Sequence, residues 1–251
     1  MPEIDLKKEI NIAIKAALSS GKYLKKNKTE LNKTSSSDPR DIKLDADVAS
    51  ENLIKKIINE SSYYEILAEE SGESSEDLGT TFWVVDPLDG TANYNRDIPI
   101  CCVSIGMIKD MKPLFGVIYD FNNDEIYFGD CINKVATLNN SPIQVSKVDH
   151  KKDGVLITGL PFNTDYSDSS LNNLINDMQS WKKTRMIGSA AMASCYIASG
   201  RAEVYKEKGI YIWDILAGAA IVEAAGGLAE IKNVRNNYQV DVTFSNQKIK
   251  G

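Results

Sequence analysis

Apolar residues recur along this chain in two rhythms, one helical and one alternating, and their succession predicts a mixed α and β protein. Between Ile4 and Leu24 the positions Leu6, Ile10, Ile14, Ala17, Leu18 and Leu24 return at helical spacing, with Gly21 as a mild interruption. The stretch from Lys25 to Arg40, rich in Lys, Asn, Ser and Thr, follows neither rhythm and is expected to be a mobile loop. A second helix is predicted over Ala46–Asn59, with Val48, Leu53, Ile54, Ile57 and Ile58 as its apolar stripe. Short runs rich in β-branched residues then predict strands at Glu65–Ala68, Phe82–Val85 and Ile100–Ile108. Pro113–Tyr119 and Glu125–Phe128 read as a hairpin around Asn122-Asn123-Asp124.

The remainder alternates in the same way. A strand at Gly154–Thr158, a helix at Leu171–Trp181 and a strand at Thr184–Ile187 lead to Gly188-Ser189-Ala190-Ala191, which opens an Ala-rich helix through Ser199. A strand at Ala202–Lys206 follows, then a nearly all-apolar helix that begins at Asp214, runs through Ile215–Ala225 and stops at Gly226-Gly227. The polar run from Lys147 to Asp153 divides the chain into two lobes, 1–146 and 147–251.

Composition narrows the chemistry. A net charge of −6 argues against general nucleic-acid binding, although a bound cation can reverse the field inside one pocket. Cys101, Cys102, Cys131 and Cys195 form no C-x-x-C pair, so buried reduced thiols are expected rather than structural zinc or a disulfide framework. No apolar leader or long apolar segment is visible, and a soluble cytoplasmic protein without membrane contact is expected. The one histidine, His150, lies in a polar linker, which leaves carboxylates, hydroxyls and metal to carry any mechanism. Asp120, Asn122 and Asp124 begin like a calcium loop, but Glu125 stands where glycine is required, and a polar turn is expected.

The chemistry concentrates in Trp83-Val84-Val85-Asp86-Pro87-Leu88-Asp89-Gly90-Thr91-Ala92-Asn93-Tyr94. Asp86 and Asp89 are hard oxygen donors suited to Mg²⁺, Pro87 stiffens the turn between them, and the Leu88 carbonyl lies in between as a third donor. Backbone N–H groups at Gly90 and Thr91 would face an anion at a helix start. Taken alone, the same turn could simply cap a helix, and Asp45, Asp47 or Asp214 could equally be caps.

Together with Ala68-Glu69-Glu70-Ser71-Gly72 and Ile212-Trp213-Asp214-Ile215-Leu216-Ala217-Gly218, the motif resembles the inositol monophosphatase family of Mg²⁺-dependent, lithium-sensitive phosphatases, over about Ile10 to Asn246. The resemblance implies an α/β (α+β) layered sandwich of alternating helix and sheet layers, and a homodimer. It implies that Glu69, Asp86, Leu88, Asp89 and Asp214 hold two or three Mg²⁺ ions, while Glu70 faces solvent or supports the loop. Glu69 and Thr91, backed by Asp47, would orient and activate a water, while relatives carry an aliphatic-Thr pair where this chain has Lys43-Leu44. Asp89, Gly90, Thr91, Gly188, Ser189, Ala190, Glu207 and Asp214 would line the substrate, with Arg96, Lys206 and Lys208 nearby. The activity implied is hydrolysis of a small phosphorylated polyol, foremost inositol monophosphate. A 3′(2′),5′-bisphosphate nucleotidase, a sugar bisphosphatase and a histidinol-phosphate phosphatase share the motif, and a non-catalytic RNA- or protein-binding regulator is the alternative of another class.

Overall fold

A computed structural model describes residues 4–38, 41–160 and 165–250. In chain order its elements are α1 (Leu6–Lys26), α2 (Lys28–Leu31), β1 (Thr34–Asp38), β2 (Asp41–Leu44), α3 (Asp45–Asn59), β3 (Ile66–Ala68), β4 (Gly72–Glu73), β5 (Thr81–Asp89), α4 (Thr91–Asn95), β6 (Cys102–Lys109) and β7 (Lys112–Asp120). They continue as β8 (Glu125–Asp130), β9 (Val135–Leu138), β10 (Ser141–Pro142), β11 (Val155–Thr158), α5 (Asp168–Ser180), β12 (Lys183–Arg185), α6 (Ala190–Ala198), β13 (Val204–Tyr211), α7 (Ile212–Ala224), β14 (Leu228–Lys232) and β15 (Gln239–Ser245).

Beside the β1–β2 pair, the strands form an eight-stranded sheet in the order β10-β9-β8-β7-β6-β5-β3-β4 and a five-stranded sheet in the order β12-β11-β13-β15-β14. The larger sheet is antiparallel except where β3 runs parallel to β5, and β11 runs parallel to both β12 and β13. Side chains alternate across β5, so Trp83 and Val85 join α1 and α3 on one face while Phe82 and Val84 join α6 and α7 on the other. Tyr205, Val240, Val242 and Phe244 of the smaller sheet close over α6 and α7, and Met178 of α5 packs on Leu156, Trp181 and Val204 at its far face. The result is five alternating layers, helix, sheet, helix, sheet, helix, as the resemblance implies.

One contact sets the spacing of the inner layers. Gly106, Gly116 and Gly129 are cross-strand partners on β6, β7 and β8, and together they make a bare strip across the sheet. The α7 backbone lies in that strip: a Cβ on Gly116 would stand 2.1 Å from the Ala217 carbonyl oxygen, and one on Gly129 would stand 2.4 Å from the Ile221 Cα. On its other side α7 meets α6 at Gly218, where a Cβ would lie 2.3 Å from that of Ser194.

Several local expectations change. The stretch expected as a loop completes α1, forms α2 and supplies β1, because pairing with β2 satisfies the backbone of a polar ribbon; Pro39 and Arg40 of that expectation lie outside the described residues. Gly21 does not interrupt α1 but admits the Tyr119 ring, which a Cβ would meet at 2.5 Å. Val48 is 47% exposed, since the first turns of α3 bury Ala46, Asp47, Ser50 and Glu51 instead. The strand before the motif does not end at Val85: β5 runs to Asp89, with its register broken between Asp86 and Asp89. The strand expected at Ala202–Lys206 starts at Val204 and extends through Glu207 to Tyr211, with an irregularity between Lys208 and Ile210.

The glycine strip predicts a contrast in stability. Gly116→Ala should destabilise the protein by about 3 kcal/mol, because a methyl group must push the α7 backbone away. Gly72→Ala, where φ is 69° and nothing lies within 4 Å, should cost only about 1 kcal/mol. Urea unfolding of the two variants checks this, and an equal or smaller loss at Gly116 would contradict the packing described.

Candidate active site

The acids of the motif come together at the ends of four elements. Glu69 and Glu70 follow β3, Asp86 and Asp89 lie at the end of β5, Asp47 is in the first turn of α3, and Asp214 is in the first turn of α7. A hydrogen bond from Ser50 Oγ to the Pro87 carbonyl at 2.6 Å ties α3 to the motif turn. Leu88 N donates to Asp86 Oδ1 at 2.9 Å and closes that turn. Gly90 has φ 88°, and a Cβ there would stand 2.8 Å from the Ile100 carbonyl oxygen, so the step into α4 requires glycine.

Each acid has a different set of partners. Asp47 accepts from Leu44 N at 2.6 Å and from the Thr91 hydroxyl at 2.9 Å, so it caps its helix and also holds the motif threonine. Thr91 Oγ1 lies 3.0 Å from the Leu88 carbonyl as well. Asp89 accepts from Ser189 Oγ, from Ala191 N at 2.8 Å and from Ala190 N at 3.3 Å, and therefore sits on the N-terminus of α6. Asp86 and Glu69 are close enough that, with one proton between them, Asp86 donates to the Glu69 carboxylate. Asp214 is not the cap residue of α7 but its third residue, where Oδ2 accepts from Tyr211 N at 3.0 Å.

Burial and mutual repulsion govern the charges. Desolvation is the largest influence on Glu69 and Asp86 and raises both well above the ordinary carboxylate range; their neighbours Asp214, Glu70 and Asp89 raise them further. Asp89 is also raised by burial, although Ser189 and the α6 N–H groups oppose the rise. Burial pushes Asp47 up to about 6 and Glu207 up to about 7. Among the described residues, no three His, Cys, Asp or Glu side chains already stand as a formed metal clasp. The acid oxygens are instead turned into the hydrogen bonds given above. The donor set itself fits a hard divalent cation: it is all oxygen, crowded with negative charge, and each carboxylate keeps acceptor capacity beyond its present bonds.

The substrate-side residues divide. Gly188, with φ 68°, Ser189 and Ala190 are brought against the motif, where Asn93 Nδ2 donates to the Ile187 carbonyl at 2.8 Å and to the Ile100 carbonyl at 2.7 Å. Glu207 accepts from Tyr205 OH at 3.0 Å and feels the charge of Asp89. Lys206, next along β13, points to the face opposite Glu207 and pairs with Asp177 of α5. Lys208 acts on Asp165, and Arg96 is exposed at the end of α4. Of the two expectations for Glu70, the structure has it supporting the loop: its carboxylate pairs with Lys43 Nζ at 3.0 Å, and its backbone N donates to Glu51 Oε2 at 2.8 Å.

Sequence reasoning missed Asn93, Ser50 and Glu51, whose roles are contacts to distant backbone. It also missed the stack of Tyr211 on Trp213, with ring centroids 4.7 Å apart, which leads to Tyr238 and its hydroxyl bond to Glu73. The aromatic spacing Tyr211-x-Trp213 beside Asp214 was the available signal.

The profile of the Inositol monophosphatase family matches residues 5–233. A protein of Pasteurella multocida named Nus factor SuhB is 35% identical over 237 residues, which cover 91% of this chain and 87% of that one. The inositol-1-monophosphatase of Synechocystis is 36% identical over 190 residues, 75% of this chain and 66% of that one. The solved inositol monophosphatase of Anabaena superposes with a TM-score of 0.81 at 31% identity, over 97% of this chain and 92% of that one.

The raised carboxylates fix the sign of a pH effect. A group whose folded pKa lies above its unfolded value, about 4 here, adds stability in full below that value and loses it as pH rises through the folded one. With Asp47 near 6 and Glu207 near 7, the metal-free protein should melt higher at about pH 5 than at about pH 8. Asp86→Asn should raise the melting temperature in chelator at the higher pH and flatten the dependence. A parent profile that is flat, or that climbs over this interval, would contradict the charge assignment.

Proposed function

We propose that this chain, which belongs to the inositol monophosphatase family and is a phosphoric monoester hydrolase, hydrolyses a small phosphorylated polyol, foremost inositol monophosphate, with Mg²⁺. The observation that carries this reading is the gathering of Glu69, Asp86, Asp89 and Asp214 into one repulsive field, a destabilising arrangement that a bound cation relieves.

Glu69, Asp86 and the Leu88 carbonyl would hold one ion, and Asp86, Asp89 and Asp214 the other. Mg²⁺ there supplies positive charge for the phosphoryl oxygens and makes water a better nucleophile. The remaining work falls to the chain. Thr91 gives its one hydroxyl proton to Asp47 and so presents lone pairs to a water hydrogen. Glu69 receives the water's proton as the water oxygen bonds to phosphorus, the ester P–O bond breaks, and the leaving oxygen takes a proton from solvent. The N–H groups of Gly90 and Thr91 would lie against the phosphate. Gly188, Ser189 and Ala190 form a wall of small residues, and Glu207 accepts from substrate hydroxyls; a carboxylate at that place disfavours a second phosphate.

A cytoplasmic homodimer belongs to the same proposal, on family resemblance. Among the described residues no helix is long and apolar enough to cross a membrane. A second reading, a non-catalytic partner-binding role, draws its support from the relative named Nus factor SuhB. Full biological function in an Asp89→Asn variant would favour it.

The test compares inositol 1-phosphate, adenosine 3′,5′-bisphosphate, fructose 1,6-bisphosphate and histidinol phosphate with the purified protein. Inositol 1-phosphate should be preferred, activity should vanish in excess EDTA, and lithium should inhibit. Asp214→Asn should lower kcat/KM at least about 100-fold. Full-rate hydrolysis in EDTA would overturn the metal-dependent mechanism, and preference for a bisphosphate would overturn the substrate class.

A further inference from the structure

Ser104 of β6 lies directly opposite Asp86 of β5 in the antiparallel ladder. The two side chains share a face. On β5, Phe82 and Val84 turn to the α6–α7 layer, and Asp86 continues that alternation; on β6, Cys102 turns the same way while Val103 and Ile105 turn to α1 and α3. The ladder repeats the pairing at the other motif acid: Asp89 stands opposite Cys102, whose thiol reaches Asp89 Oδ2 at 3.8 Å. Each acid of the motif thus faces a small donor from β6.

Ser104 differs from Cys102 in one respect. It is 1% exposed, and its buried hydroxyl has no hydrogen-bond partner among the described residues. A buried hydroxyl left unpaired weakens the fold, and alanine would fill the same place without that cost. Asp89 already receives donors from Ser189, Ala190, Ala191 and Cys102, whereas Asp86 has Leu88 N and its bond with Glu69. Opposed residues on one face of an antiparallel pair have Cβ atoms about 4.5–5.5 Å apart, so rotation about χ1 brings a serine hydroxyl within reach of its neighbour's carboxylate.

We infer that Ser104 is a positioning residue, which donates its hydroxyl to Asp86 once Asp86 gives up Glu69 to hold Mg²⁺. The inference rests on the metal site proposed above. A ligating carboxylate is held by a second donor that fixes which lone pairs face the ion, and Ser104 supplies that donor from the floor of the site.

The experiment titrates Mg²⁺ calorimetrically, without substrate, into chelator-stripped parent, Ser104→Ala and Ser104→Thr, and records melting temperatures of the same proteins in EDTA. Ser104→Ala should bind Mg²⁺ about 10-fold more weakly while melting in EDTA no lower than the parent, and Ser104→Thr, which keeps the hydroxyl, should recover most of the affinity. An alanine variant within about twofold of the parent Kd would overturn the inference while leaving the metal site intact. A lower EDTA melting temperature with a loss that threonine does not recover would overturn it too, as simple packing. A parent that binds no Mg²⁺ would remove the metal site and this role of Ser104 together.

Discussion

The approach of α7 to the large sheet is the constraint on which the rest depends. Gly106, Gly116 and Gly129 remove every side chain from the strip where Ala217 and Ile221 would otherwise be pushed out. At that distance the first turn of α7 reaches the ends of β3 and β5, and Asp214 bears on Glu69 and Asp86. Gly218 then lets α6 approach α7, and α6 delivers Ser189, Ala190 and Ala191 to Asp89. Packing without side chains thereby converts four remote acids into one electrostatic unit.

Within that unit the acids are handled in two ways. Asp47 and Asp214 repeat one device, an aspartate in the first helical turn accepting from the backbone N–H of the residue before the helix. Asp89 is stabilised by the N-terminus of a third helix. Glu69 and Asp86 are raised well above the ordinary carboxylate range, because burial and acidic neighbours outweigh the single backbone bond from Leu88 N to Asp86. The fold thus places its least compensated charges beside its best anchored ones, a pattern characteristic of sites where stability is given up for binding.

Much of this was legible in the sequence because it is local. The helical rhythm of α1 and α3, the strand pairing around Asn122 and the carboxylate pair at Asp86 and Asp89 all follow from spacing and turn chemistry. The five layers came from family resemblance, since periodicity alone gave only mixed elements in two lobes. The unreadable features are long-range. Glycines inside strands read only as weak strand residues, and nothing at Gly116 announces that Ala217 lies against it. The rule that apolar residues face inward puts Val48 in the apolar stripe, but the site buries Asp47, Ser50 and Glu51 in that turn. Sequence proximity to Glu207 offers Lys206 or Lys208 as a substrate neighbour, and strand alternation sends Lys206 to Asp177.

The most direct measurement is an anomalous diffraction map of crystals soaked in Mn²⁺, a cation that takes the same oxygen donors as Mg²⁺ and can be located by its own signal. The account predicts a peak at about 2.0–2.4 Å from carboxylate oxygens of both Asp86 and Asp214, with the Asp214 carboxylate turned from Tyr211 N toward the ion. A map without a peak among Glu69, Asp86, Asp89 and Asp214, or one in which Asp214 stays on Tyr211 N and out of coordination, would contradict it.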